Sequence, residues 1–388
     1  MGAIRLDRLT KVHPGGHIAV AEVDLDIADG ELFVLLGPSG CGKTSVLRMI
    51  AGLDEPSAGD VLVDGHSVRG VRTRDRHVGM LFQSGAVYPH LTVRENLAFP
   101  LAVTKAGRHE VERHVAEMAE LVGLTEVLDL RPRRLSGGMQ QRVAMGRALI
   151  RRPPLLLMDE PMSNLDAKLR TELRSQLATL QRWSRSTAVY VTHDQVEAMA
   201  LGDRAALMRN GRVVQCGPPQ ELYRHPVDLF VATFVGTPPM NVVLARLTIE
   251  DGLVADIGSH RLSLGEASRW PHLDRHVGRE VALGIRPTGF RVADRPTRGT
   301  LPVEINRVEY LGVEQLVTAT LDARRVSVTD EGAQVDEMPV ASVTALLDQE
   351  VAIDLWRPIH LAVDLDDVHL FDLATGRRIA TSDRVGVV

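Results

Sequence analysis

Glu31-Leu-Phe-Val-Leu-Leu36 is an apolar run of strand length that leads straight into Gly37-Pro-Ser-Gly-Cys-Gly-Lys43-Thr44. A strand apolar on both faces belongs inside a sheet covered on two sides. The glycine-rich turn must then deliver the chain into a helix, predicted from Ser45 to Ala51. The turn matches the G-x-x-x-x-G-K-[ST] pattern, in which backbone N–H groups surround phosphate oxygens and the helix N-terminus adds partial positive charge. Gly37, Pro38, Ser39, Gly40, Cys41, Gly42, Lys43, Thr44 and Ser45 are therefore the predicted nucleotide cradle. Within it Lys43 is expected to reach the β- and γ-phosphates and Thr44 to ligate Mg²⁺. Only four of the 45 basic residues are lysine, which argues against a stray basic residue in an ordinary turn.

Pro154-Leu-Leu-Leu-Met-Asp159-Glu160 reads as a second buried strand, ending in two carboxylates. Further strands are predicted at Ala188 to Thr192 and Ala205 to Met208, with a polar helix from Ala167 to Arg182. Strand, helix and strand in succession imply a largely parallel sheet with helices on both faces, and ligands bind such sheets at the carboxyl ends of the strands. There Asp159 is expected to hold Mg²⁺ and Glu160 to polarise a water for attack on the γ-phosphate; a solvated strand end before Pro161 is the alternative. Between about Thr104 and Ile150 the pattern turns helical, with Val111, Val115, Met118, Leu121 and Val122 spaced for one apolar face. Leu135-Ser136-Gly137-Gly138 closes this insertion. Ser136 is a suitable N-cap and the two glycines permit close approach of an anion. Either this is a capped helix without a ligand, or it serves a nucleotide that its own chain does not hold.

The texture changes near Thr237-Pro238-Pro239. Beyond it, short runs such as Val281-Ala-Leu-Gly-Ile285 and Gln315-Leu-Val-Thr-Ala-Thr-Leu321 alternate with Gly, Asp and Pro, the pattern of a small β-rich, barrel-like domain. Two domains are expected, 1–237 and 238–388, the first with a helical subdomain at about 88–150. The net charge of −5 gives no basic footprint for nucleic acid. Two cysteines, Cys41 and Cys216, support neither a disulfide framework nor a zinc site. No stretch reaches the ~18 apolar residues of a membrane span, and Met1 to Val12 lacks the apolar core of a signal peptide, so any membrane role is expected to come through a partner.

In this order the motifs resemble the ATP-binding subunit of an ATP-binding-cassette transporter, over about residues 3 to 240. Gln83, after Val78-Gly-Met-Leu-Phe82, matches the family's glutamine loop, which joins the Mg²⁺ site to the membrane partner. Ser163-Asn164-Leu165-Asp166 matches the loop that pairs the two subunits, and His193 in Val191-Thr-His-Asp194 matches the histidine that contacts the γ-phosphate. The resemblance implies an α/β P-loop cassette with ATP and Mg²⁺ as cofactors and Glu160, His193 and Gln83 as catalytic residues. Thr44, Gln83 and Asp159 are the implied metal ligands. It also implies a head-to-tail dimer, a homodimer by expectation, in which Ser136, Gly137, Gly138 and Asp166 of one chain close on the ATP of the other. Two integral-membrane permease subunits and, indirectly, an extracytoplasmic solute-binding protein complete the implied assembly, with the chain peripheral on the cytoplasmic face of the bacterial inner membrane.

The narrower similarity is to ATPases of carbohydrate importers. It rests on Tyr88-Pro-His-Leu-Thr-Val-Arg-Glu-Asn96, Thr237-Pro-Pro-Met-Asn241, Gly284-Ile-Arg-Pro287 and His369-Leu-Phe-Asp372, the last two implying a C-terminal domain of oligonucleotide/oligosaccharide-binding type. Polyamine, iron and sulfate importers share parts of these motifs. A soluble cassette ATPase acting on ribosomes or DNA, or a regulatory module gated by ATP, are the other classes weighed. Three positions depart from the family pattern. His13 stands where an aromatic residue usually stacks on adenine, unless it is merely a loop residue; Met139 replaces the glutamine after the signature glycines; and Thr288 replaces a glutamate after Arg-Pro.

Overall fold

The structure is a computed structural model that describes residues 2–83, 87–102, 107–163, 165–270, 273–329, 332–355 and 357–379. The chain divides into two compact units, Met1–Pro219 and Gln220–Val387.

In chain order, the first unit contains β1 (Ile4–Val12), β2 (Ile18–Ile27), β3 (Leu32–Leu36), α1 (Lys43–Ala51), β4 (Ala58–Val63), β5 (His66–Ser67) and β6 (Val78–Leu81). Then follow α2 (Val93–Ala102), α3 (Arg108–Leu121), α4 (Gly137–Leu149), β7 (Leu155–Asp159), α5 (Ala167–Ser184), β8 (Thr187–Thr192), α6 (Gln195–Leu201), β9 (Arg204–Arg209) and β10 (Arg212–Gly217). All five residues of β3 are buried, as its apolar run predicts. It lies at the centre of a six-stranded sheet ordered β10-β9-β3-β8-β7-β6, parallel except for β10, which closes one edge as a hairpin with β9. Val46, Leu47, Met49 and Ile50 of α1 share one core with Phe33 and Leu35 of β3 and with Ile4, Leu6 and Leu9 of β1. The helix begins at Lys43, before the predicted Ser45, because Gly42 takes a left-handed φ of 105° as its N-cap.

A separate antiparallel sheet, β2-β1-β4-β5, is not evident from periodicity. The β1–β2 register shifts between Leu6 and Leu9, and Arg8 and Glu22 have positive φ, so the two-residue alternation is broken by bulges. In the helical arm, Val115, Met118 and Val122 are buried, while Val111 and Leu121 are only half-buried. Gly146 of α4 brings α2 and α3 close, since a Cβ there would stand 2.7 Å from Leu97 and 3.2 Å from Met118.

The second unit is built mainly of antiparallel strands. One five-stranded sheet orders His260–Ser263, Gly252–Ile257, Asn241–Glu250, Glu280–Ile285 and Val368–Asp372; another orders Phe290–Ala293, Pro358–Val363, Thr300–Tyr310, Glu314–Asp322 and Val340–Asp348. Burial alternates along Glu314–Asp322 and Val340–Asp348, which places Val317, Ala319, Leu321, Val343, Ala345 and Leu347 in one core. The compact division falls upstream of Thr237-Pro238. The helix Leu229–Phe234 belongs to this unit, packing Leu229 and Ala232 against Met240, Val242, Ala282 and Phe371.

Candidate functional site

Strand register assembles the site. Leu36, the last residue of β3, pairs with Thr192 of β8, and Asp159, the last of β7, pairs with Val191. The chain therefore leaves three neighbouring strands at nearly one level, and Gly37, Glu160 and His193 emerge together at the carboxyl edge of the sheet, where open α/β sheets bind ligands.

The phosphate loop is shaped by its own chain. A Cβ on Gly37 would lie 2.4 Å from the Met208 carbonyl oxygen, and one on Gly42 would lie 2.2 Å from that of Ala19. Both positions therefore require glycine for packing as well as for φ. Lys43 is 4 % exposed, and its Nζ donates to the carbonyls of Gly37 (2.8 Å) and Pro38 (2.9 Å). Burial raises the Cys41 thiol above its ordinary pKa, an effect that nearby Lys43 only partly offsets.

Thr44 Oγ1 donates to Asp159 Oδ1 at 3.0 Å. Burial raises the Asp159 carboxyl, the Thr44 hydrogen bond opposes this and the neighbouring Glu160 charge adds to it. A hydroxyl and a carboxylate in contact beside a phosphate cradle fit Mg²⁺, which usually takes one or two protein carboxylates together with phosphate oxygens and waters. Among the described residues no group of three or more His, Cys, Asp or Glu could hold a metal without such help.

Glu160 has φ 42°, a left-handed conformation costing roughly 1–3 kcal/mol for a side-chain-bearing residue. Its N–H still bonds the Val191 carbonyl. With the backbone turned in this way, Glu160 Oε2 lies 3.1 Å from His193 Nδ1. A cavity of about 30 Å³ opens beside this pair, lined in part by Ser163, Arg170, Asp194 and Glu197, enough for a water molecule. Gln83 Nε2 donates to Ser163 Oγ (3.3 Å), which donates to the Glu160 carbonyl (3.0 Å). Gln83 thus joins the Glu160 loop, and among the described residues no hydrogen bond links it to Thr44 or Asp159.

The remaining predicted residues lie in other surroundings. Ser136 is the N-cap of α4, accepting from Met139 N at 3.3 Å. Gly137 has open space where a Cβ would stand, whereas a Cβ on Gly138 would press on the side-chain end of Leu169, 2.5 Å away. Among the described residues no hydrogen bond joins this turn to the phosphate loop. Asp166 caps α5 through Leu169 N (3.0 Å), and Asn164 lies outside the described residues. His13 sits in a tight turn, its N–H bonded to the His17 carbonyl (2.8 Å) and its ring parallel to that of His17 at 6.3 Å. Met139 is 38 % exposed. Thr288 donates to Asp367 (3.4 Å), a carboxyl raised by burial; a glutamate there would place a second carboxylate beside it.

Arg170, Asp194, Glu197 and Gln141 are absent from the sequence-based list. Gln141 Nε2 donates to the Pro161 carbonyl at 2.5 Å, tying α4 to the loop after Glu160. The available signal for Asp194 and Glu197 was the pair of acids in His193-Asp-Gln-Val-Glu197, since a buried carboxylate requires a partner; Arg170 lies outside that run.

Known proteins resemble this chain along nearly its whole length. The profile of the ABC transporter family matches residues 20–163, and that of the MalK OB fold domain matches residues 236–290. The trehalose/maltose import ATP-binding protein MalK of Thermococcus litoralis is 44 % identical, over 98 % of this chain and 100 % of its own. The trehalose import ATP-binding protein SugC of Mycobacterium tuberculosis is 41 % identical over 99 % and 100 %, and an sn-glycerol-3-phosphate import ATP-binding protein UgpC of Rhizobium johnstonii is 41 % identical over 96 % and 95 %. Among solved structures, an ATP-binding cassette determined as a dimer in a post-hydrolysis state with ADP and Pi is 32 % identical, with a TM-score of 0.51 over 56 % of this chain and 98 % of that one.

Proposed function

The chain belongs to the ATP-binding subunits of ATP-binding-cassette importers, in the carbohydrate subfamily of MalK and UgpC, and from that premise we propose how its residues work and what it helps to import. It is an ATPase that couples hydrolysis to solute uptake. The observation that carries the assignment of roles is the strand register, which brings Gly37, Glu160 and His193 out at one edge.

Lys43 exchanges its two carbonyl partners for phosphate oxygens when ATP enters. Thr44 and Asp159 would hold Mg²⁺, which when bound would supply positive charge beside the phosphate oxygens. Glu160 accepts a proton from the attacking water, and His193, already within 3.1 Å of it, contacts the γ-phosphate. Gln83, through Ser163, passes the state of the site towards the membrane partner. Hydrolysis of this kind depends mainly on positioning and electrostatics.

Ser136, Gly137 and Gly138 complete the site of a second copy, so two chains enclose two ATP molecules. The cassette is assigned to residues 1–237 and the regulatory OB-type domain to 238–388, a division supported by a profile match that begins at 236, although the helix Leu229–Phe234 just before it packs with the second unit. No helix among the described residues is long and apolar enough to cross a membrane, which accords with a peripheral subunit on the cytoplasmic face working with two permease subunits. The named relatives import trehalose, maltose or glycerol 3-phosphate, and a sugar is the proposed solute. The test is the ATPase of the complex purified with its membrane partners and solute-binding protein. Trehalose or maltose should stimulate it; stimulation only by a polyamine or an iron chelate would overturn the sugar assignment.

A further inference from the structure

Arg170, in the first turn of α5, lies between two loops of the site. Its Nη2 donates to the Leu165 carbonyl at 2.9 Å, in the loop that follows Glu160. Its Nη1 donates to Asp194 Oδ2 at 3.2 Å, next to His193. Its Nε faces Glu197 Oε1 at 4.0 Å. Glu197 is 3 % exposed, and its other oxygen accepts from Tyr190 and Thr192, both at 2.7 Å. Thr192 Oγ1 in turn accepts from Asp194 N at 2.9 Å, while Asp194 Oδ1 caps α6. His193 is thus held from both sides by Thr192 and Asp194, and both belong to the Arg170–Glu197 network.

A buried carboxylate paired with arginine is a poor device for stability alone, because apolar side chains of similar volume usually serve packing as well or better. What such a group does supply is fixed geometry. The guanidinium is a planar fork with donors in set directions, a shape that the point charge of lysine lacks. Arg170 and Glu197 also line the small cavity beside Glu160 and His193.

We propose that Arg170 and Glu197 are positioning residues for hydrolysis. They lock the His193 loop to Leu165, in the chain that follows Glu160, and so set where His193 stands relative to Glu160. This rests on the assignment of Glu160 and His193 to the chemistry. If that assignment fails, Glu160→Gln and His193→Ala keep wild-type turnover; if only the present inference fails, those two are strongly slowed, to a still measurable rate, while Arg170→Lys keeps its wild-type kcat.

The test is steady-state ATPase of the full-length chain with its membrane partners, carrying Arg170→Lys or Glu197→Gln, alone and combined with His193→Ala. Misplacement of a reacting group should lower kcat about 10- to 100-fold, with KM for ATP near its wild-type value. In the His193→Ala background Arg170→Lys should cost little more, because its effect acts through His193. Wild-type kcat in a folded Arg170→Lys protein, or the same fractional loss with and without His193, would overturn the proposal. If Arg170→Lys does not fold, Glu197→Gln decides by the same two readouts.

Discussion

The phosphate loop and the Ser136 turn are both glycine-rich starts of helices, yet they are built on opposite terms. In the first, the chain itself packs around the base of the loop, leaving Ser39 and Gly40 exposed. Gly37 and Gly42 are pressed against backbone carbonyls, Cys41 is buried and Lys43 bonds its own loop. In the second, Ser136 and Gly137 are exposed, and a Cβ on Gly137 would meet nothing. Only Gly138 is packed, and its neighbour is Leu169 of α5. One helix start is a finished cradle; the other is a rigid, capped end facing open space. The proposed composite site accounts for the difference: the chain completes the first half itself and offers the second to another copy.

Four substitutions probe that contrast, in descending order of expected effect. Glu160→Gln should cut turnover ~10²–10⁴-fold, the usual weight of a positioned base, while ATP binding persists; near-wild-type steady-state hydrolysis would remove Glu160 from its role. Lys43→Ala should cost ~10²–10³-fold, as loss of a preorganised charged donor does, and should also weaken binding of a non-hydrolysable ATP analogue to the isolated chain. Gly137→Asp places a carboxylate in open space, so thermal stability and nucleotide binding by one chain should be unchanged. Hydrolysis should fall by ~10-fold or more, since about 1.4 kcal/mol of charge repulsion already costs that factor. Equal loss of single-chain binding would put Gly137 beside its own nucleotide and break the comparison. His13→Trp is the mildest: stronger stacking of ~0.5–1.5 kcal/mol should tighten ATP by at most about tenfold in equilibrium titration, and no change would make His13 an ordinary turn residue.

Much of this organisation was legible in the residues. The buried run at 32–36 and the strand ending at Asp159 could be read because an apolar strand on both faces leaves little choice but the interior of a covered sheet. Once those strands lie parallel on either side of β8, the convergence of Gly37, Glu160 and His193 follows from register. Other parts depend on contacts that no local pattern records. The antiparallel sheet was hidden by the bulge between Leu6 and Leu9. The glycine at 138, proposed to meet an anion, also packs against Leu169, which no local pattern records. The bond from Gln83 to Ser163 is another such contact. The Arg170–Glu197 network joins residues that only α5, β8 and α6 together bring near one another.

The central claim is that each catalytic site is shared between two chains, and mixing two defective proteins tests it most directly. Lys43→Ala lacks a working phosphate loop but keeps its Ser136 turn, and Gly137→Asp has the reverse defect. Co-assembled with the membrane partners, they form one intact composite site in each mixed dimer. The account predicts that ATP hydrolysis reappears in the mixture well above that of either variant assembled alone. A mixture no more active than the two separate assemblies would contradict it.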